Sequence, residues 1–413
     1  MKQKDKDIMR GLAERYRDIA ELPVQEEKKR LWRDHLSLKP TRIPILATYG
    51  MWNVWCDQLW GKGTMECESP FLQQYERALR LQIFNHEEVG DDLIQHSWLT
   101  MRASVKGVWG GCWGVNEAMH ASDMEGGAAS FDPPLTNWDD MEKLTWTPHE
   151  IDEKDTARNL EVLSEAVGDI LPIDVSRTPV LNGAAGDIST SLAKLRGLET
   201  LMMDMYEYPE ELHRLLAFMR DGILANNQTA EEAGDYSMTS GLNQAECYTD
   251  SLEDPCPNSG PRKRKDLFGF VAAQEYTLIS PAFHEEFMAQ YQRPIMEHFG
   301  LIHYGCCEDL TRKIDMLRTF TNLRSIAVAP TANVAKCAEQ IGQDYVISWR
   351  PNPADMVCCG YNEDLVTRIV SEAIEACRGC FPHIHLKDVE TLEGDNTRLK
   401  RWVQLVRSIT EKF

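Results

Sequence analysis

The chain has 413 residues, 43 % of them hydrophobic, and 44 basic against 65 acidic side chains, a formal charge of −21. That apolar content excludes a disordered chain, and the acidic balance argues against a duplex-binding or anionic-membrane-binding surface. No run of ~18 apolar residues offers a membrane span. The charged start Met1-Lys-Gln-Lys-Asp-Lys-Asp lacks the apolar stretch of a signal peptide, so a cytoplasmic location is expected.

The first forty residues read as a helical extension, with Leu12, Tyr16, Ile19 and Leu22 recurring at three- and four-residue spacing. Pro40 ends that pattern, and residues 41–413 read as one further domain, opened by the strand Arg42–Gly50. Strands are then expected at Asp91–Leu99, Pro179–Leu181, Ser237–Leu242, Gly269–Glu275, Leu301–Cys307, Ser325–Ala329, Tyr345–Arg350 and His383–Asp388. Between them, helical patterns cover Pro70–His86, Thr156–Val167, Ile188–Met205, Pro209–Ala230, Pro281–His298, Ala332–Ile341, Glu363–Cys377 and Thr397–Thr410. Pro70, Pro209 and Pro281 stand where a first helical turn tolerates proline. Such alternation means parallel strands joined by crossover helices, and eight or nine strands in one series favour an α/β fold of the (β/α)8 TIM-barrel type. The basic run Arg262-Lys-Arg-Lys265 reads as a solvated loop, with a docking patch for an acidic partner as the alternative.

Twelve cysteines in such a chain need a reason other than disulfides, since cytosolic thiols stay reduced. Most suit small core positions. The exception is Leu301-Ile-His-Tyr-Gly-Cys-Cys-Glu308, which places His303, Cys306 and Cys307 at a strand end, where a barrel keeps its catalytic groups. Imidazole and thiolate suit Zn²⁺, and a catalytic zinc needs three protein ligands. The alternative is a buried cysteine pair beside a hydrogen-bonded histidine. In Gly269–Glu275 the small residues Gly269, Val271 and Ala273 share a phase with Glu275. That phase turns Glu275 inward as a ligand or general base, unless it is a capping or salt-bridged surface residue. In the last strand Ile384 and Leu386 face outward, so His383, His385 and Lys387 face inward, either as a buried polar network or as functional groups.

Cys377-Arg-Gly-Cys380 ends a helix rather than starting one, which leaves its thiols without the dipole that activates redox pairs. With Cys358-Cys359 it could form a structural zinc site. Asn182–Asp187 reads as a strand-to-helix turn, with an anion cradle as the alternative. Six of eleven tryptophans lie between Trp52 and Trp113. Trp52, Trp55 and Trp60 follow the first strand, where they would line an apolar pocket or pack beneath the extension.

From about Leu31 onward the chain resembles the uroporphyrinogen decarboxylase superfamily. The matching landmarks are Arg42-Ile-Pro before a Trp-rich strand, Leu195-Arg-Gly-Leu-Glu199 with Tyr206-Glu-Tyr-Pro-Glu210, and Ser280-Pro281. The His303–Cys307 strand, Ser348-Trp-Arg-Pro-Asn-Pro353 and Leu386-Lys-Asp388 complete them. The resemblance implies a TIM barrel with one of two chemistries. One is metal-free decarboxylation of a tetrapyrrole. The other is methyl transfer between a zinc-activated substrate and a corrinoid on a separate protein. The arginine-bearing propionate-binding stretch of the decarboxylases is absent, and Tyr49-Gly-Met-Trp-Asn53 stands in its place. This favours the methyltransferase branch, although H-x-x-C-C here is one residue longer than that branch's H-x-C. His385 and Lys387 also occupy its later cysteine position. The resemblance thus implies a zinc- and corrinoid-dependent methyltransferase acting on a small methyl ether or thiol. His303, Cys306 and Cys307 would bind metal, Glu275, His385 and Lys387 would be catalytic, and Trp52, Gln274, Trp349 and Arg350 would line the substrate. A separate corrinoid protein is the implied partner, and a homodimer is open as an assembly. A decarboxylase or lyase of a carboxylated substrate is the alternative, and a non-catalytic tetrapyrrole- or corrinoid-binding barrel is a third reading.

Overall fold

Six parallel strands form one curled sheet in the order β1-β10-β9-β8-β7-β6. They are β1 (Ile45–Ala47), β6 (Phe268–Val271), β7 (Leu301–Tyr304), β8 (Leu323–Val328), β9 (Val346–Trp349) and β10 (Phe381–Leu386). The computed structural model describes residues 1–47, 59–61, 63–106, 113–116, 118–120, 130–146, 148–179, 188–238, 241–242 and 244–412. The first strand pairs with the last, Ile45 opposite Ile384 and Ala47 opposite Leu386, as in a sheet curling towards closure. Among the described residues the curl reaches six strands, a half-barrel, not the eight of a closed barrel. No described helix is long and apolar enough to cross a membrane.

The far edge of β1 explains part of that difference. Residues 91–98 form no strand; the Asp92 amide bonds Ile45 O once, and two carboxylates take the place of a ladder. The Ile45 amide donates to Asp92 Oδ2 at 2.9 Å and the Ala47 amide to Asp91 Oδ2 at 2.7 Å. Carboxylates satisfy edge donors without the alternating side chains a strand must bury. Ser237–Leu242 is likewise no strand among its described residues, only the isolated bridge Gly241–Glu246. Of Pro179–Leu181, residues 180–181 lie outside the described residues, as does Asn182–Asp187.

The helices largely follow their sequence signals. Asn333 and Asn362 side chains accept the Lys336 and Leu365 amides at two helix starts, and Pro23, Pro70, Pro209 and Pro281 occupy first turns. The expected Ile188–Met205 helix is two, Ile188–Arg196 and Leu198–Glu207, split at Gly197 with φ of 84°. The N-terminal extension is also two helices, Gln3–Ala20 and Pro23–Leu36. The first packs with Pro70–Phe84, Glu153–Val167 and the parallel pair β2 (Leu99–Arg102) and β5 (Ile173–Ser176) around a second core. An antiparallel pair, β3 (Ala118–His120) and β4 (Ser130–Asp132), stands apart.

Ile302, Tyr304, Ile326, Ile347, Ile384 and Leu386 bury their side chains under the outer helices. On the concave face, Leu46, Phe268, Leu301 and Val346 pack with Trp32, Leu36, Ala245 and Tyr248. The segment around Gln244 thus fills the curl from inside. Its buried amide donates to Tyr304 O (2.8 Å) and Gly305 O (2.7 Å) and accepts from Ser325 Oγ (2.6 Å).

Candidate active site

The C-terminal ends of β7, β9 and β10 bring a set of polar side chains together. β7 stops at Tyr304 because Gly305 turns with φ of 97°. A Cβ at Gly305 would lie 2.7 Å from Leu310 Cδ1 and 3.1 Å from Ala327 Cβ, so only glycine fits. The turn presents Cys306, and Glu308 anchors it by accepting the amides of Cys306 and Ala273, both at 2.8 Å. Arg350 Nη1 donates to Cys306 O from the end of β9. Lys387, just past β10, donates from Nζ to Cys306 Sγ at 3.3 Å. Cys307 Sγ lies 3.6 Å from Cys306 Sγ and 3.9 Å from Asp388 Oδ2. Asp388 itself sits 3.7 Å from Lys387 Nζ and holds φ of 58°, a left-handed conformation that Asp and Asn adopt more readily than other non-glycine residues.

These contacts sort the charges. The hydrogen bond to Cys306, burial and the Cys306 charge push the Cys307 thiol well above its ordinary range. Cys307 is thereby disfavoured as a thiolate, and Cys306 Sγ is the sulfur that lies against Lys387 Nζ. Burial also raises the Glu308 carboxyl, although its two backbone donors oppose that. Nearby, Lys313 donates to Tyr276 O at 2.6 Å, and burial pushes its ammonium down to about 8.

His303 faces the concave side as its phase predicts, stacked on Phe268 with ring centroids 4.8 Å apart. It is fully buried, and neither ring nitrogen has a hydrogen-bond partner among the described residues. Burial, then the charges of Arg324 and Arg350, push it down to about 3. The structure does not gather His303 with the two cysteines into a ligand set. Among the described residues no group of three His, Cys, Asp or Glu side chains is placed to hold a metal ion. Lys387 is a cation that meets the Cys306 sulfur.

Arg350 is buried on the concave side, with Nε and Nη2 lacking partners among the described residues. His385 is buried in line with Leu46 of β1, between His383 and Lys387. Two expectations are corrected. Trp349 points outward into the core shared with Ile347 and Ile384, so it cannot line the concave face. Glu275 is not carried inward by its strand, because the phase of β6 is the reverse of the expected one. Phe268 stacks on His303 and Phe270 packs with Cys306, whereas Gly269 faces outward, where a Cβ would meet Phe299 at 2.8 Å. Gly269 is small to admit a helix-side phenylalanine, not to relieve a crowded interior. The strand ends at Val271, and Gln274 and Glu275 lie half-buried in a 3₁₀ turn where Ser189 Oγ donates to Glu275 Oε2 at 2.6 Å.

Trp52 and Trp55 lie outside the described residues; Trp60 packs edge-on against Phe84. Cys377 caps a helix end, and burial pushes its thiol up to about 12, as expected for a core cysteine. The basic run is not wholly solvated: Arg264 is buried and pairs with Glu231 at 3.0 Å. Asp388 and Glu308 stood at the ends of noted motifs without an assigned role. Their signal was adjacency, an acidic residue directly after Lys387 and after the cysteine pair.

A methyltransferase from Methanosarcina mazei is structurally similar over 93 % of this chain and 98 % of its own, at 12 % identity and a TM-score of 0.47. No protein-family profile and no curated protein matches the sequence.

Proposed function

We propose that the chain is a methyltransferase that moves a methyl group between a small organic substrate and a corrinoid carried by a separate protein. The observation that supports the reading is the Cys306–Lys387 contact at the C-terminal ends of parallel strands, where α/β enzymes place their chemistry. The corrinoid, when its carrier docks, supplies the cobalt centre that takes or gives the methyl group. This chain's part is to bind and orient the substrate and to move one proton. In ether demethylation Lys387 donates that proton from Nζ to the leaving oxygen, and Cys306 Sγ holds the ammonium in place. Cys307 keeps its proton and bridges to Asp388, which fixes the far side of the lysine. No step is routed through zinc on His303, Cys306 and Cys307; among the described residues no group of three His, Cys, Asp or Glu side chains is placed to hold a metal ion.

A carboxy-lyase is the second reading, favoured by the two buried cations Arg350 and Lys387. The test supplies cobalt(I) cobalamin and a panel of methoxylated and methylthio compounds, and follows methylcobalamin by absorbance. Turnover falling about 100-fold in Lys387→Met is the expected result. Absence of methylation across the panel, or an unaffected variant, overturns the reading; CO2 release without corrinoid supports the lyase. Near-stoichiometric zinc that disappears in Cys306→Ala would return the metal to the mechanism.

A further inference from the structure

We propose that Arg350 and His303 form a carboxylate-binding pocket on the concave face, and that the substrate is a small carboxylic acid. The inference rests on reading this mouth as the substrate site. The guanidinium of Arg350 is 1 % exposed. Its Nη1 is taken by Cys306 O, which leaves Nε and Nη2 as the unpartnered pair among the described residues. Those two atoms form one edge of the planar fork, the edge that meets a carboxylate with two parallel hydrogen bonds.

The same chain shows that edge filled elsewhere. Arg196, also buried, offers Nε to Asp204 Oδ2 at 2.6 Å and Nη2 to Asp204 Oδ1 at 3.2 Å. Arg196 therefore carries its own carboxylate, and Arg350 meets none among the described residues. A buried charge is tolerated only when paired, and an incoming acid group would complete the pair.

His303 supports the same ligand. Both of its ring nitrogens are buried without partners, so a neutral imidazole has an N–H to give to an acceptor. The buried acid of this region, Glu308, is committed to two backbone amides and does not compete for the guanidinium. Lys387 already faces Cys306 Sγ at 3.3 Å and Asp388 at 3.7 Å, so Arg350 is the cation of this region left to meet an incoming anion.

The test titrates the full chain with acetate and benzoate, with benzamide as uncharged isostere and inorganic phosphate as general anion, and reads the shift in melting temperature. A saturable rise with a carboxylate, none with benzamide, and about ten-fold weaker binding in Arg350→Gln are expected. If that variant fails to fold, His303→Phe and the ¹⁵Nε resonance of Arg350 in the unaltered chain carry the test. Benzoate should weaken several-fold in the first and should move the second. Equal responses to benzoate and benzamide, equal responses to phosphate, no carboxylate response, or an unaffected Arg350→Gln each overturn the site. The two readings fail separately. Carboxylate binding through Arg350 without methyl transfer from any methoxybenzoate leaves the pocket and removes the methyltransferase. Equal transfer from methoxybenzene and methoxybenzoate does the reverse.

Discussion

His383 and His303 both lie fully buried on the concave face, on β10 and β7, yet their surroundings differ. His383 Nδ1 meets His35 Nε2 at 3.1 Å, and its Nε2 meets Ser348 Oγ at 2.8 Å and Gln244 O at 3.1 Å. His303 has an aromatic ring on one face and no hydrogen-bond partner among the described residues. The floor of the curl around His383 is thus a closed polar network, whereas His303, on the same concave face, holds ring nitrogens that the described residues do not use. Closed networks rigidify, and buried polar groups left open call for a partner from outside them, a water or a ligand. Burial and residue type alone would have treated both histidines alike.

If the floor is structural, breaking it should be expensive. Gln244→Ala removes three buried hydrogen bonds and strands the carbonyls of Tyr304 and Gly305. We expect a loss of about 3 kcal/mol or more in urea unfolding; a loss below about 1 kcal/mol would mean the segment does not brace the sheet. Gly305→Ala attacks the junction between floor and mouth. Its strained φ and the approach to Leu310 should cost about 1–2 kcal/mol, and the displaced Cys306 should lose its contact with Lys387. Unchanged alkylation of Cys306 in that variant would contradict the geometry.

Acid should affect floor and mouth alike. Burial pushes His35 and His303 down to about 3 from an ordinary 6.5, and His383 lies well below its ordinary value. The unfolded chain therefore binds more protons than the folded one between those values. Stability is full above about pH 6.5 and falls as pH drops towards 3, by about 1.4 kcal/mol per pH unit for each such histidine. His303→Phe should reduce that slope by one proton's worth while keeping the stack on Phe268. An unchanged slope would place His303 in solvent contact.

Much of this arrangement was legible in the sequence, and its failures have physical causes. Alternation in Leu301–Cys307 and His383–Asp388 placed Ile302, Ile384 and Leu386 outward and His303, His383 and Lys387 inward, because ionisable side chains alternate there with aliphatic ones. β6 carries no such asymmetry. Phe268 and Phe270 are as apolar as Val271, and the sequence does not say that Phe299 of a later turn needs the space at Gly269. The expected strand at 91–99 failed for a related reason. Asp91 and Asp92 serve β1 through their side chains, a role that hydrophobic periodicity does not register. Spacing could not show that His303 turns to Phe268 while Lys387 reaches Cys306 from a strand 81 residues away in sequence.

The most direct test of the difference between the two histidines is paired equilibrium unfolding of His383→Phe and His303→Phe in urea at pH 7. The account predicts that His383→Phe loses about 2–3 kcal/mol, because it strands His35 and Ser348, while His303→Phe stays within about 1 kcal/mol of the parent. Equal losses in the two variants, or the larger loss at His303, would contradict it.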